Sequence, residues 1–451
     1  MDDPLLLSRV QFALNISFHI LFPTITLGLA WMLVFFKCRF KRTGDDKWMK
    51  AYFFWVKVFA LTFAIGVVSG ITMPFQFATN WPGYLETVGN IAGPILAYEV
   101  LIAFFLEGTF IGVMLFGYKR IPNWFHTLAT VLVALGATLS AFIILTLVSW
   151  MVTPAGFEMR DGVAHATSWF DIVFNPSAPY RFAHMMLAAA MTTSFLLAGM
   201  AAYRWLRNDR SPEMMAVLRT GVYTAVVFSL LQIGVGDIHG VVTSKHQPQT
   251  MAAAEALWET TKSAPFVVFA VPDDEKKTNA MEISIPHMGS LLMTHRWDGE
   301  VKGIDAFPEH PKVAPVFYAF RVMVYLGFLM TFVAIAAAWV VKRKKGLTPF
   351  WAKTLVAFTF SGWIATLAGW YVTEMGRQPY LVQDVLKTAD AATKAGTGML
   401  TGSFLLYLAS YAILLPAYIV TIYYLARKAA AGDAGTRLPE PADAANSSSE
   451  P

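Results

Sequence analysis

Apolar stretches longer than 20 residues recur along the whole chain, and this single feature decides most of what the sequence can fold into. At about 1.5 Å of rise per residue, such a stretch crosses the ~30 Å of bilayer hydrocarbon as a helix. Charged residues are only 14% of the chain against 56% hydrophobic, well below the charged share of a typical soluble domain. The pattern predicts an all-α membrane protein with about nine transmembrane helices, over 11–36, 52–78, 94–118, 124–150, 182–205, 220–238, 314–341, 353–374 and 398–426.

Lys and Arg accumulate in short cytoplasmic loops, which orients the spans. Lys37, Arg39, Lys41, Arg42, Lys47 and Lys50 follow the first span, and alternate loops continue with Lys119 and Arg120, Arg204, Arg207 and Arg210, Lys342 to Lys345, and Arg427 and Lys428. This predicts the N-terminus outside and the C-terminus cytoplasmic. The net charge of +5 is then topological and does not mark a nucleic-acid binder. Asp2 and Asp3 replace a basic leader region, and the apolar stretch behind them is too long for a signal peptide, so it is expected to stay as a span. Cys38 is the only cysteine, which excludes a disulfide framework and a thiolate metal site. Residues 1–430 are read as one transmembrane helical domain, and 431–451, poor in large apolar groups, as a disordered cytoplasmic tail.

One connection is long, 239–313 on the outer side, with an amphipathic piece at Met251 to Trp258 and a turn-rich run from Pro272 to Lys277. Loops of that length are functional or disordered, and the aromatic content here argues for an ordered lid or binding segment. No internal repeat is visible, which weakens an inverted-repeat transporter reading. Gly66 with Gly70, and Gly108 with Gly112, have the spacing of close helix approach.

Within these spans lie His19, Glu99, Glu107, His184 and Met323, with Glu374 closing a sixth position. Polar and ionisable groups at bilayer depth are expensive unless paired or ligated. All except Glu107 are expected near the outer side, delivered there by separate helices. Imidazole, thioether and carboxylate without cysteine is a ligand set suited to haem iron, a His and Met pair giving a six-coordinate electron-transfer centre and weaker ligation leaving a position for dioxygen. Each residue alone has a plainer role, Met as adaptable core filler, His or Glu as an interhelical hydrogen bond. Their agreement in depth favours ligation.

Glu107 lies eight residues beyond Glu99, which on a regular helix rotates it by about 80°, and it reads as a proton relay near mid-membrane. Ser140, at similar depth on the fourth span, either extends that path or bonds its own helix backbone. His126 is expected at the cytoplasmic interface. After Glu374, the run Met375-Gly376-Arg377-Gln378-Pro379-Tyr380 ends a helix, and Arg377 is placed to pair with haem propionates or to snorkel as an ordinary anchor.

These residues resemble those of subunit I of cytochrome bd-type quinol oxidases over essentially the whole chain. The resemblance rests on Gly376-Arg377-Gln378-Pro379 preceded by Glu374, on Arg321-Val322-Met323, on His184 after Tyr180-Arg181-Phe182, and on His19, Glu99 and Glu107. It implies an electrogenic quinol:dioxygen oxidoreductase of an aerobic respiratory chain in the bacterial cytoplasmic (inner) membrane. Implied cofactors are a low-spin haem b held by His184 and Met323, and a high-spin haem b with haem d or a third haem b, around which His19, Glu99 and Glu374 are pooled. Arg377, Arg321 and Gln378 are implied beside the cofactors. The long outer loop corresponds to the family's quinol-binding loop, with His246, Gln247, Glu255 and Trp258 fitting its pattern and Glu255 as acceptor of the quinol proton. Relatives carry a lysine where this chain has Thr250, and the short loop resembles the cyanide-insensitive branch. Implied partners are ubiquinol or menaquinol, dioxygen, a second membrane subunit and a small single-span subunit.

Two other classes compete with an oxidase. A proton-coupled transporter would use the carboxylates at midplane and be colourless, whereas an oxidase shows reduced-haem bands. A haem-bearing quinone-linked electron-transfer subunit would show the bands but take up no oxygen with quinol.

Overall fold

The computed structural model describes residues 3–432, so most of the expected tail, from 433 onward, lies outside the described residues. Among the described residues nine helical segments are long and apolar enough to cross a membrane, as the hydropathy pattern predicts. The first joins α1 (Pro4–His19) to α2 (Leu21–Thr43), the second is α3 (Lys47–Thr79), and the third runs through α4 (Pro82–Ile102), a π-helical turn (Ala103–Gly108) and α5 (Thr109–Phe116). Then come α6 (Asn123–Val152), short α7 (Trp169–Val173) leading into α8 (Ala178–Leu206), and α9 (Pro212–His246). Beyond α10 (Pro248–Glu255) and α11 (Met288–Thr294), the last spans are α12 (Val313–Lys344), α13 (Pro349–Ala357) with α14 (Ser361–Gly376), and, after α15 (Thr388–Ala391), α16 (Thr397–Ala430).

Alternate connections carry the Lys and Arg clusters, which defines a basic end of the bundle. The far end carries the small sheets, each an antiparallel pair: β1 (Phe157–Arg160) with β2 (Val163–Ala166), β3 (Thr261–Lys262) with β6 (Glu300–Val301), β4 (Phe266–Asp273) with β5 (Thr278–Ile285), and β7 (Tyr380–Val382) with β8 (Leu386–Lys387). The long far-end loop is thus ordered, as expected. Several helices outrun their expected bounds: α4 starts at Pro82 and α9 continues to His246. Hydropathy registers only the turns in hydrocarbon, while the additional polar turns are held by the far-end loops.

Two irregularities position the site. Pro23 has no N–H to donate to the His19 carbonyl and its ring crowds that carbonyl, so the first span breaks at Ile20, immediately after His19. In the third span the π turn absorbs one residue. Glu99 and Glu107 are then separated by about seven α-helical steps and fall within about 20° of one face, instead of the 80° a regular helix gives. Both meet α6: Ser140 donates to Glu99 Oε1 at 2.9 Å, and a Cβ on Gly136 would lie 3.2 Å from Glu107 Cγ.

The central span is α8, and its two halves differ. Every residue from Met191 to Ala202 is buried, whereas Phe182 to Ala188 are all half-buried. A helix points in every direction within four residues, so this stretch of its far-end half is fully packed on no side. The tight half rests on close backbone approach, as at Gly199, where a Cβ would come within 2.1 Å of Thr359 Oγ1 and 2.8 Å of the Leu355 carbonyl. Gly66 likewise faces Phe22. Gly108 and Gly112 meet no atom within 4 Å among the described residues, so the packing expected from their spacing is not made within this chain.

Gly199→Ala should lower the melting temperature in detergent, overpacking here costing about 1–3 kcal/mol. Gly112→Ala should leave the temperature unchanged or raise it.

Candidate functional site

His184, on the loosely packed half of α8, points at α9. Its Nε2 lies 3.1 Å from Gln232 Nε2, its ring centroid 5.3 Å from that of His239, and a Cβ on Gly236 would be 3.6 Å from its Cε1. Gln232, Gly236 and His239 are spaced i, i+4, i+7 and share one face of α9. Met323 comes from α12 and presses its Sδ against Gly369 of α14, where a Cβ would lie only 2.8 Å away. His19, freed at the α1–α2 break, bonds Ser69 Oγ through Nδ1 at 3.0 Å and faces Gly70, where a Cβ would be 3.0 Å from its Cε1. Each of these three side chains meets a glycine of a neighbouring helix, and each is only half-buried.

Depth grades across the bundle. Glu374 ends α14 at the far end, and His184 lies about 9 Å along α8 from its start. Met323 is about 15 Å along α12, and Ser69, the partner of His19, about 15 Å from the end of α3. Glu99 at Ser140 is about 18 Å from the far end of α6, with Glu107 roughly 10 Å deeper. The one-sided order expected from sequence is present, with Glu99 nearer mid-height than expected because α4 starts earlier. Ser140 bonds Glu99 and is not confined to its own backbone, and it stands level with Glu99, not with Glu107. Glu107 is 7% exposed.

Three guanidiniums are buried at the far end: Arg181, Arg321 and Arg377. Arg377 pairs with Glu374 and donates to the Leu381 carbonyl at 2.7 Å. Arg321 pairs with Glu255 at 2.6 Å and donates to the Val267 carbonyl at 2.8 Å. Phe266 and Phe317 sit on the Arg321 guanidinium at 4.6 Å each. Arg181 has no carboxylate partner among the described residues; it donates to Thr373 Oγ1 at 3.2 Å and Gln247 Oε1 at 3.4 Å. Arg181 Nε, Arg321 Nη1, Arg377 Nε, His184 Nδ1 and His239 Nε2 are buried without hydrogen-bond partners.

This donor set fits a haem. Porphyrin supplies four iron ligands and asks the protein for only one or two axial side chains, which agrees with the lack, among the described residues, of any group of three or more His, Cys, Asp or Glu able to hold a bare metal ion. Spare guanidinium donors match propionates. Gln378 is engaged elsewhere, donating to the Glu374 carbonyl at 3.2 Å and accepting from Thr388 at 2.9 Å.

The far-end loop docks directly on this region. Thr250, noted in the sequence as a departure from the resemblance, donates to the Gly376 carbonyl at 2.7 Å, a short neutral contact. Gln247 is buried against Arg181, while His246 is exposed. Glu255 is fully buried, and Trp258 Nε1 donates to Asn279 Oδ1 at 2.8 Å. Burial pushes the Glu255 carboxyl above the ordinary glutamate range, with Arg321 pulling the other way.

Sequence reasoning missed His239, Gln232 and the role of Arg181. The repeated face of Gln232, Gly236 and His239 was the available signal, hidden because the span was ended at 238. His126, expected at the cytoplasmic interface, lies in the first turn of α6 at the basic end and is fully buried there, its Nε2 3.2 Å from the Met114 carbonyl and its ring against Tyr52 and Tyr118. Lys37, counted as a loop residue, is buried above Tyr52 and donates to Asn123 at 2.9 Å.

The sequence model of the family described as cytochrome bd terminal oxidase subunit I matches residues 7–430. A cytochrome bd ubiquinol oxidase subunit 1 of Bacillus subtilis (strain 168) is 33% identical, the match covering 91% of each chain. A cytochrome bd-II ubiquinol oxidase subunit 1 of Escherichia coli (strain K12) is 32% identical over 98% of this chain and 99% of that one. The solved bd oxidase from Geobacillus thermodenitrificans superposes with a TM-score of 0.89 at 30% identity, covering 95% of this chain and 100% of that one.

Arg321→Gln removes the influence that opposes burial at Glu255, so this carboxyl should shift further toward its protonated form. Infrared spectra should then show a neutral-carboxyl C=O band that the Glu255→Gln, Arg321→Gln double variant lacks.

Proposed function

From the membership of this chain in the cytochrome bd terminal oxidase subunit I family, which makes it a multi-pass respiratory quinol oxidase subunit of the bacterial inner membrane, we propose that it oxidises quinol at the far end, outside, and reduces dioxygen to water at a di-haem site. Protons for water are drawn from the basic end, which the distribution of Lys and Arg assigns to the cytoplasm, along with the C-terminus. Charge is thereby separated and a proton motive force generated without a pump. The observation that carries this reading is that His184 and Met323 each face a glycine of a neighbouring helix, with His184 about one turn along α8 from the buried Arg181 guanidinium, which has no carboxylate partner among the described residues.

Bound haems supply one-electron transfer and the dioxygen chemistry. His184 and Met323 hold the low-spin haem b, and Arg181, with spare donors on Arg377 and Arg321, neutralises propionates. His19, Glu99 and Glu374 serve the high-spin haem b and the third haem, d or b. Ser69 on Nδ1 fixes the ring of His19 through its second nitrogen, as outer partners of ligating histidines do. Glu107 takes protons from the basic end. The π turn that sets it on the face of Glu99 supports a relay from Glu107 toward Glu99, whose carboxylate Ser140 holds.

At the far end, Glu255 receives a quinol proton. Its burial favours the protonated state and Arg321 favours the carboxylate, so that the opposed influences suit it to take up a proton and give it back. His246 and Gln247 flank that site, Gln247 tying it to Arg181. The quinol is ubiquinol or menaquinol, and the assembly includes a second membrane subunit and a small single-span one.

Met323→Ala should abolish the six-coordinate low-spin spectrum and shift its potential while sparing the dioxygen-reactive spectrum. An unchanged low-spin centre in the purified protein overturns the ligand assignment. Glu107→Gln should leave all haem bands in place yet slow oxygen uptake with quinol by about 10²-fold or more, as loss of a proton-transfer group does.

A further inference from the structure

The β4–β5 hairpin presents an exposed apolar flank, Phe269, Val271, Met281, Ile283 and Ile285, the last three 73%, 62% and 45% exposed. Its height relative to the bilayer can be read from α12, against which it stands. On that helix Tyr318 and Trp339 are both exposed and are separated by about 32 Å of helix. That matches the ~30 Å hydrocarbon thickness, with amphipathic aromatics at each boundary. Arg321 and Tyr325 therefore sit inside the far-end boundary, by about 4 Å and 10 Å.

These two residues hold the hairpin. Arg321 Nε donates to the Val267 carbonyl at 2.8 Å, and the Tyr325 hydroxyl donates to the Val268 carbonyl. At the other end of the hairpin, Asp274 caps α12, accepting from Val313 N at 2.7 Å and Ala314 N at 3.3 Å. The turn, with Asp273, Asp274, Glu275, Lys276 and Lys277, is thus outside the boundary, and the base is at or below it. β4 is about 23 Å long, enough to cover the distance. Near the base, Phe269 pairs with Ile283 and Phe266 with Ile285. Tyr325, which holds the base, is itself exposed on α12, next to exposed Val322, Phe328 and Leu329, so the apolar flank of the hairpin continues the exposed apolar face of a helix long and apolar enough to cross the membrane.

The geometry points to the base of the β4–β5 hairpin as a membrane anchor, with Phe269, Ile283 and Ile285 immersed among lipid acyl chains at the far-end boundary and the charged turn in water. Immersion is shallow, because the outer edge of a two-stranded sheet keeps unpaired backbone groups that hydrocarbon does not satisfy. Glu282 lies between Met281 and Ile283, and its carboxylate accepts from Asn279 Nδ2 at 2.8 Å, on the side toward the turn.

Collision accessibility of nitroxide labels tests this anchor. Cys38→Ser removes the only native thiol of this chain, and single cysteines are introduced into it by Ile283→Cys, Phe269→Cys and Lys276→Cys, the chain being labelled within the complete oxidase in lipid nanodiscs and read against the unsubstituted Cys38→Ser background. Retained oxygen uptake with quinol identifies folded variants, and two base positions guard against one failing to fold. The label at 283 or 269 should show a ratio of oxygen to nickel-chelate accessibility several times that at 276, because oxygen partitions into hydrocarbon and the chelate stays in water. Equal nickel access at base and turn overturns the proposal by placing the base in water. Exclusion of both relaxants from the base overturns it equally, by showing a protein surface there.

Discussion

Every polar group at bilayer depth must find its partner inside the protein, because hydrocarbon offers none. This requirement organises the bundle. Tyr418 meets Thr62 at 2.8 Å and Tyr411 donates to Asn15 at 2.6 Å, tying the last span to the first two. Arg204 and Asp209, both buried, brace the turn between α8 and α9 at 2.6 Å. Buried polar atoms without a partner remain at scattered points, among them Trp48, Gln76 and His126, and four of the residues that carry them, Arg181, His184, Gln232 and His239, gather on the far-end half of the α8–α9 pair.

The division of α8 into a tightly and a loosely packed half gives the same message in terms of volume. From Met191 to Ala202 the helix is immobilised by backbone contact with its neighbours, which fixes its axis. The half-buried turns from Phe182 to Ala188 are then carried on a rigid stem, so side chains at the site are positioned without being enclosed. The far-end loop completes the arrangement through Thr250, Gln247 and Glu255, each bonded to a different element: the end of α14, α8 and α12.

Much of this was legible in the sequence, and the failures have identifiable causes. Nine spans and an ordered far-end loop follow from apolar run length and loop composition, and the ligand-type side chains announce themselves by standing in apolar surroundings. The break at Ile20 was written in Pro23. The π turn was not, because no residue type marks it, so the angle between Glu99 and Glu107 was misjudged by treating the helix as regular. Span ends were set too early wherever helical turns continue past the hydrocarbon, which cost His239 its place in the reading. Lys37 and His126 look like interfacial residues in sequence and are buried only because Tyr52, Tyr118 and Asn123 converge on them, a three-dimensional fact with no local signature.

Opposing glycines at His19, His184 and Met323 have a mechanical consequence. Where a side chain abuts bare backbone, no rotamer of an intervening neighbour can absorb a displacement, so the sulfur or imidazole moves as one with the adjoining helix. A change in the spacing of these helices therefore displaces the facing sulfur or imidazole directly.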